Sequence, residues 1–260
     1  MTTDLPDDVV ATVARIARPT DGSSDDSSPV GDSTLTGALA DLRDWWVTLT
    51  GDAALEAVHL VPSESSDAMS ALRTGIAEAN RAIDSGATLI VPRVAERDDV
   101  TARALTALLT KRDASAVLGQ PDGMSDALWM QTCTRIRDRM AQHAHLLGDY
   151  SALLQAMDAR NLAAVAGILL GAAARRTPCL IDGTDEWAAA LVSDRLAYKA
   201  RAWWREASTS PDPARTAARE RIDLAAGLDL HLSDDCGHGA DAALALLALS
   251  LQGSAGSPDG

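Results

Sequence analysis

The part of the chain that most limits its fold lies between Asn161 and Gly183. There an almost wholly apolar stretch, residues 162–174, is followed by Arg175-Arg176-Thr177 and then by Pro178-Cys179-Leu180-Ile181-Asp182-Gly183. A helix that is apolar on every side has to lie inside a core, and this one is too short for the roughly 20 residues a bilayer crossing needs. Gly167 and Gly171, four residues apart, give it a flat face for close packing. The Pro178–Ile181 run reads as a strand buried on both faces, as does Ala87-Thr88-Leu89-Ile90-Val91 between Gly86 and Pro92. A third short strand is expected over 57–61. These features predict a helix-rich α/β domain with a small, mainly parallel sheet flanked by helices. Asp182-Gly183 falls at a strand's carboxyl end, where ligands sit in open α/β sheets.

Composition agrees with this. The chain of 260 residues holds 50 Ala, no Phe and only 3% aromatics, so its core is tiled with small side chains, which favours helices and argues against an all-β fold. With 23 Lys plus Arg against 37 Asp plus Glu, the net charge is −14. That balance argues against nucleic acid, whose phosphates are held by clustered cations. Three scattered cysteines and an acidic amino end point to a reduced, cytoplasmic protein with no signal peptide and no membrane span. Helices are expected over 5–17, 34–50, from the 63–67 cap residues to about 85, and over 100–110, 125–147, 150–157, 161–176 with Asn161 as cap, 185–205, 213–226 and 240–251. Residues 1–33, with the polar tract 21–29, are expected to be partly disordered, 34–252 to form one domain and 253–260 a flexible tail.

The stretch Asn161-Leu162-Ala163-Ala164-Val165-Ala166-Gly167-Ile168-Leu169-Leu170-Gly171-Ala172-Ala173-Ala174 with its Pro178-to-Gly183 sequel resembles the nicotinate-nucleotide:dimethylbenzimidazole phosphoribosyltransferase family. Lys111-Arg112-Asp113-Ala114-Ser115-Ala116-Val117-Leu118-Gly119 and the segment from Ala68-Met69-Ser70 to Val91 resemble further parts of it, so the likeness runs from about Ser65 to Leu251. It implies a reduced version of the family fold, with nicotinate mononucleotide and a benzimidazole-type base as substrates, an α-ribotide of cobalamin assembly as product, no cofactor and no metal. In the family, a Glu in a Gly-Glu-Gly-x-Gly loop acts as general base. The matching loop here is Asp235-Cys236-Gly237-His238-Gly239-Ala240: Cys236 stands at the Glu position, so either the general base is lost or His238, a side chain suited to proton transfer near neutrality, is the candidate substitute. The family's glycine-rich phosphate loop aligns with Pro92-Arg93-Val94-Ala95-Glu96-Arg97-Asp98-Asp99-Val100, which has no glycine, leaving Arg93 and Arg97 to hold a phosphate through charge-assisted bonds. Of another family element, Ala207-Ser208-Thr209-Ser210-Pro211-Asp212 keeps Ser210. Asp182, Gly183, Asp235, Gly237 and Gly239 complete the substrate-binding set implied. Family segments between Val61 and Ser65 are missing, so the sheet is either smaller or completed by another chain, as a homodimer or a heteromer with a full-length homologue. The departures leave two readings open, a phosphoribosyltransferase and a non-catalytic binding or regulatory subunit.

Other groupings have plainer readings. His231, Asp234, Asp235, Cys236 and His238 lack a second cluster and a zinc-like spacing, so a solvated loop is expected there. Asp182 either binds a ribose hydroxyl or caps the helix after Gly183. Cys133 and Cys179 read as small hydrophobes. One residue of each pair, Trp45-Trp46 and Trp203-Trp204, is expected to face inward. His143 and His145 read as a solvated helix end, and Arg135 to Arg139 as a solvent face.

Overall fold

The computed structural model describes residues 5–17, 37–51, 53–120, 122–230, 232 and 237–253. The polar tract 21–29 and all but the first residue of the expected tail lie outside the described residues. Strands β1 (Ala57–Leu60), β2 (Leu89–Pro92), β3 (Cys179–Ile181) and β4 (Trp204–Glu206) form one sheet in the order β1-β2-β3-β4, with every pair parallel. Helices α1 (Asp7–Ala17) and α2 (Ala38–Thr50) precede β1, and α3 (Ala68–Asp84) joins β1 to β2. Helices α4 (Asp99–Thr110), α5 (Ala114–Leu118), α6 (Asp126–His143), α7 (Tyr150–Ala156) and α8 (Arg160–Ala174) lie between β2 and β3. Helix α9 (Thr184–Leu196) precedes β4, and α10 (Pro213–Ile222) and α11 (His238–Gly253) follow it.

Strands that pair in chain order through right-handed crossovers gather their connecting helices on one face. The alternation of side chains along the strands records this. Ile90, Cys179, Ile181 and Trp204 enter a core shared with α3, α4, α8 and α9. Leu89, Val91 and Leu180 point the other way, to Leu42 and Trp46 of α2 and to Ala240, Ala243 and Leu247 of α11. Burial on both faces is why β2 and β3 show as continuous apolar runs.

The flat face expected on α8 is used. A Cβ at Gly167 would run into the carbonyl oxygen of Leu72, and one at Gly75 into that of Ala164, so α3 and α8 touch backbone to backbone. The cap expected among residues 63–67 is Asp67, whose carboxylate accepts from the Ser70 amide at 2.9 Å.

Several expectations need correcting. The helix expected over 185–205 stops at Leu196, a 3₁₀ segment covers Tyr198–Trp203, and Trp204–Glu206 is a strand. Pairing with β3 and burial of Trp204, 2% exposed, override the helical composition of that stretch. Helix α10 ends at Ile222 because Asp223 turns left-handed with φ 62°. The cap of α8 is Ala159. Asn161 lies inside the helix and donates its amide to the Glu96 carbonyl at 2.9 Å. His143 is buried rather than solvated, with Nδ1 at 2.8 Å from the Arg139 carbonyl and Nε2 at 3.1 Å from that of Ala156. Trp46 and Trp204 are the inward members of their pairs, the latter on a strand.

Candidate phosphoribosyl-transfer site

The carboxyl ends of β2, β3 and β4 bring together side chains far apart in sequence. Asp182, first after β3 and 3% exposed, accepts from Arg215 Nη2 of α10 at 2.6 Å and from the Ala240 amide of α11 at 3.0 Å. Arg215, 2% exposed, also donates to the Ser208 carbonyl at 3.0 Å. The cap of α9 is Gly183, which makes no side-chain cap bond, so the helix that Asp182 caps is α11 rather than α9. A carboxylate at a helix amino end is favoured by the exposed amides and the dipole there.

After β2, Arg93 Nη2 donates to the Gly237 carbonyl at 2.8 Å and lies 3.3 Å from Asp241 Oδ1 and 3.4 Å from His59 Nδ1. Gly237 has φ 84°, and a Cβ there would meet the Arg93 guanidinium. A Cβ on Gly239 would meet Ser208 Oγ. Gly237 is favoured by its positive φ and Gly239 by the close approach of Ser208 and Asp182.

The loop from 93 to 98, which has no glycine, spends three of its amides internally. The Arg93 amide donates to the Leu60 carbonyl at 2.9 Å, the Val94 amide to Glu186 Oε1 at 2.9 Å, and the Asp98 amide to Asp185 Oδ1 at 3.1 Å. Arg97 Nη1 lies 4.0 Å from Asp185 Oδ2, beside a cavity of about 300 Å³ that Asp98, Arg160 and Asn161 also line. Burial pushes the Glu186 carboxyl up to about 7, with Asp185 adding to the rise while the Val94 amide and Arg97 oppose it. Burial likewise raises the Glu206 carboxyl, which accepts from the Gly227 amide at 2.9 Å. The Cys179 thiol is pushed far up by complete burial.

Arg93, Asp182, Gly183, Gly237 and Gly239 thus cluster at one edge, and Arg97 lies beyond the loop against α9. Ser210 instead turns to α10, its hydroxyl accepting from the Asp212 amide at 3.2 Å. Asp212 caps that helix and pairs with Arg103 of α4 at 2.6 Å. His238 is exposed as the first residue of α11. Asp235 and Cys236 lie outside the described residues, as do His231 and Asp234. Among the described residues no group of three or more His, Cys, Asp or Glu is arranged to hold a metal ion, and no helix is long and apolar enough to cross a membrane. Sequence reasoning missed Asp185, Glu186 and Arg215. The available signal was an adjacent acid pair heading the apolar Trp187–Val192 run of a helix directly after a buried strand.

A phosphoribosyltransferase family model matches residues 63–256. A nicotinate-nucleotide–dimethylbenzimidazole phosphoribosyltransferase of Streptomyces avermitilis is 38% identical over 182 residues, covering 69% of this chain and 48% of that protein. One of Mycobacterium avium is 38% identical over 177 residues, covering 68% and 50%. The chain belongs to this phosphoribosyltransferase family. It spans about half the length of the curated relatives it matches. The crystal structure of CobT from Thermus thermophilus superposes on this phosphoribosyltransferase-family chain with a TM-score of 0.70 at 20% identity, covering 96% of each, which establishes the shared fold. The family's region of likeness contains Arg93, Asp182, Gly183, Gly237 and Gly239, while α1, α2 and β1 precede it.

Proposed function

We propose that the chain transfers the phosphoribosyl group of nicotinate mononucleotide to a benzimidazole-type base, forming an α-ribotide of cobalamin assembly. The observation that carries this reading is the family match over 63–256 together with 38% identity to proteins named for that activity. The reaction is a displacement at the ribose carbon in which a base nitrogen attacks, nicotinate leaves with the electron pair of the broken bond, and the attacking ring gives up a proton. In this reading the glycine loop, Asp182 and Gly183 face the ribose. Arg93 and Arg97 hold the phosphate by charge-assisted bonds. Cys236 stands at the position of the family's general base, and His238 is the proton acceptor the loop itself offers.

The assay is chromatographic detection of the ribotide from nicotinate mononucleotide and dimethylbenzimidazole, with wild type and His238→Ala side by side. Ribotide formed by the wild type and abolished in His238→Ala supports both the reaction and the loop assignment. Nucleotide binding without turnover assigns the chain instead as a non-catalytic binding or regulatory subunit. We further propose a cytoplasmic protein, folded as one domain over 34–252, that associates as a homodimer or with a full-length homologue. Light scattering at micromolar concentration tests the association, and a monomer rejects it.

A further inference from the structure

Three of the four buried carboxylates at the strand ends face an arginine: Asp182 with Arg215 at 2.6 Å, Asp185 with Arg97 at 4.0 Å, and Glu206 with Arg219 at 3.6 Å. Glu186 has no such partner within 4.0 Å among the described residues. It is 0% exposed, one oxygen accepts from the Val94 amide, and the other, Oε2, has no hydrogen-bond partner. A buried carboxyl oxygen left unsatisfied costs folding free energy, and strained or costly groups of this kind concentrate at functional sites.

The cost falls at a mechanically placed point. The amide that Glu186 holds belongs to Val94, the residue after Arg93, and the Arg93 guanidinium reaches the Gly237 carbonyl. Glu186 is therefore tied through the Arg93–Val94 peptide to the residue whose side chain holds the glycine loop. Beyond that turn the cover is thin, since residues 95–99 are all exposed. We propose that Glu186 is a positioning residue of the ligand site: by fixing the Val94 amide it aims Arg93, and so sets where a nucleotide phosphate is held relative to the 237–239 loop. The proposal rests on the phosphoribosyl-transfer reading above.

The test is calorimetric binding of nicotinate mononucleotide to wild type, Glu186→Gln, Glu186→Met, Arg93→Ala and the Arg93→Ala/Glu186→Met double variant. Gln keeps an oxygen for the Val94 amide and Met does not. Expected are binding within about threefold of wild type for Gln and about tenfold or more weaker for Met, the loss that follows from roughly 1.4 kcal/mol. The double variant is expected to bind no more weakly than Arg93→Ala alone, since residues acting through one another are not additive. Equal losses in Gln and Met, or additive losses in the double variant, overturn the positioning role while leaving the proposed function standing. No binding or turnover by the wild type overturns both. If Glu186→Met fails to fold, hydrogen exchange in the wild type decides: the nucleotide should protect the peptides carrying residues 93–98 and 237–241 together, and protection of one without the other overturns the inference.

Discussion

Replacing Glu186 by Gln should change how stability depends on pH. Burial raises this carboxyl from an ordinary 4.5 to about 7 in the folded protein. A folded state that holds the proton more tightly than the unfolded chain is most favoured below pH 4.5, loses that advantage as pH rises towards 7, and stays at the lower level above it. At about 1.36 kcal/mol for each tenfold change in proton affinity, the ionised side chain costs the folded protein about 3 kcal/mol at pH 8 and under 1 kcal/mol at pH 5. Gln has nothing to ionise. Its amide brings a buried donor in place of Oε2, costing about 1–3 kcal/mol, but at both pH values alike. Relative to wild type, Glu186→Gln should therefore gain about 2 kcal/mol between pH 5 and pH 8. The assay is urea unfolding followed by tryptophan fluorescence at the two pH values for both proteins. Comparing the difference between proteins cancels other groups such as Glu206, whose raised carboxyl bends the wild-type curve in the same direction. A difference that moves by less than about half a kcal/mol would show that Glu186 is already ionised or already neutral across this range, and would refute the reasoning.

Gly167→Ala should destabilise the protein by about 3 kcal/mol or more, because the added Cβ meets the backbone of Leu72 and a helix pair in backbone contact has no side chain to give way; thermal unfolding with an unchanged midpoint would contradict this. Asp182→Asn should cost about 1–3 kcal/mol, since it replaces the carboxylate in a buried charge-assisted bond with Arg215, 2% exposed, and the loss would show in the urea midpoint. Cys179 should remain unlabelled by a thiol reagent in the native state and react only on unfolding, as mass spectrometry of labelled peptides would reveal.

What could be read from the sequence follows from how local the cause was. Strands β2 and β3 are visible because burial on both faces makes each a short apolar run closed by Gly, Pro or Asp-Gly, and the close-packing face of α8, though not its partner α3, is visible because Gly167 and Gly171 fall on one helical face. Strand β4 is not visible. Trp204-Arg205-Glu206 has no periodicity of its own and is a strand only because β3 offers it Cys179, Leu180 and Ile181. His143 looks solvated between Gln142 and His145, and becomes buried because the end of α7 returns to it. At the site, the motif pointed to Arg93, Asp182, Gly237 and Gly239. The contacts that join them span 58 residues for Asp182 to Ala240 and 144 for Arg93 to Gly237, so no local pattern specified which atoms would meet.

The phosphate loop shows the same dependence on distant partners. The amides of Arg93, Val94 and Asp98 do not turn outward as a nest: at the carboxyl end of a buried strand each is satisfied internally. Asp185 and Glu186, adjacent in the first turn of α9, supply the acceptors, placing carboxylates where a loop with free amides would turn to an anion. In this chain the loop without glycine and the acid pair are therefore structurally coupled. In the proposed reading, an anion at this edge is held by the guanidinium groups of Arg93 and Arg97, which face Asp241 and Asp185. On that reading a phosphate would compete with carboxylates for those two side chains, its affinity would be set by a difference between two charge-assisted contacts, and the geometry of Arg93 would count for more than beside a glycine nest.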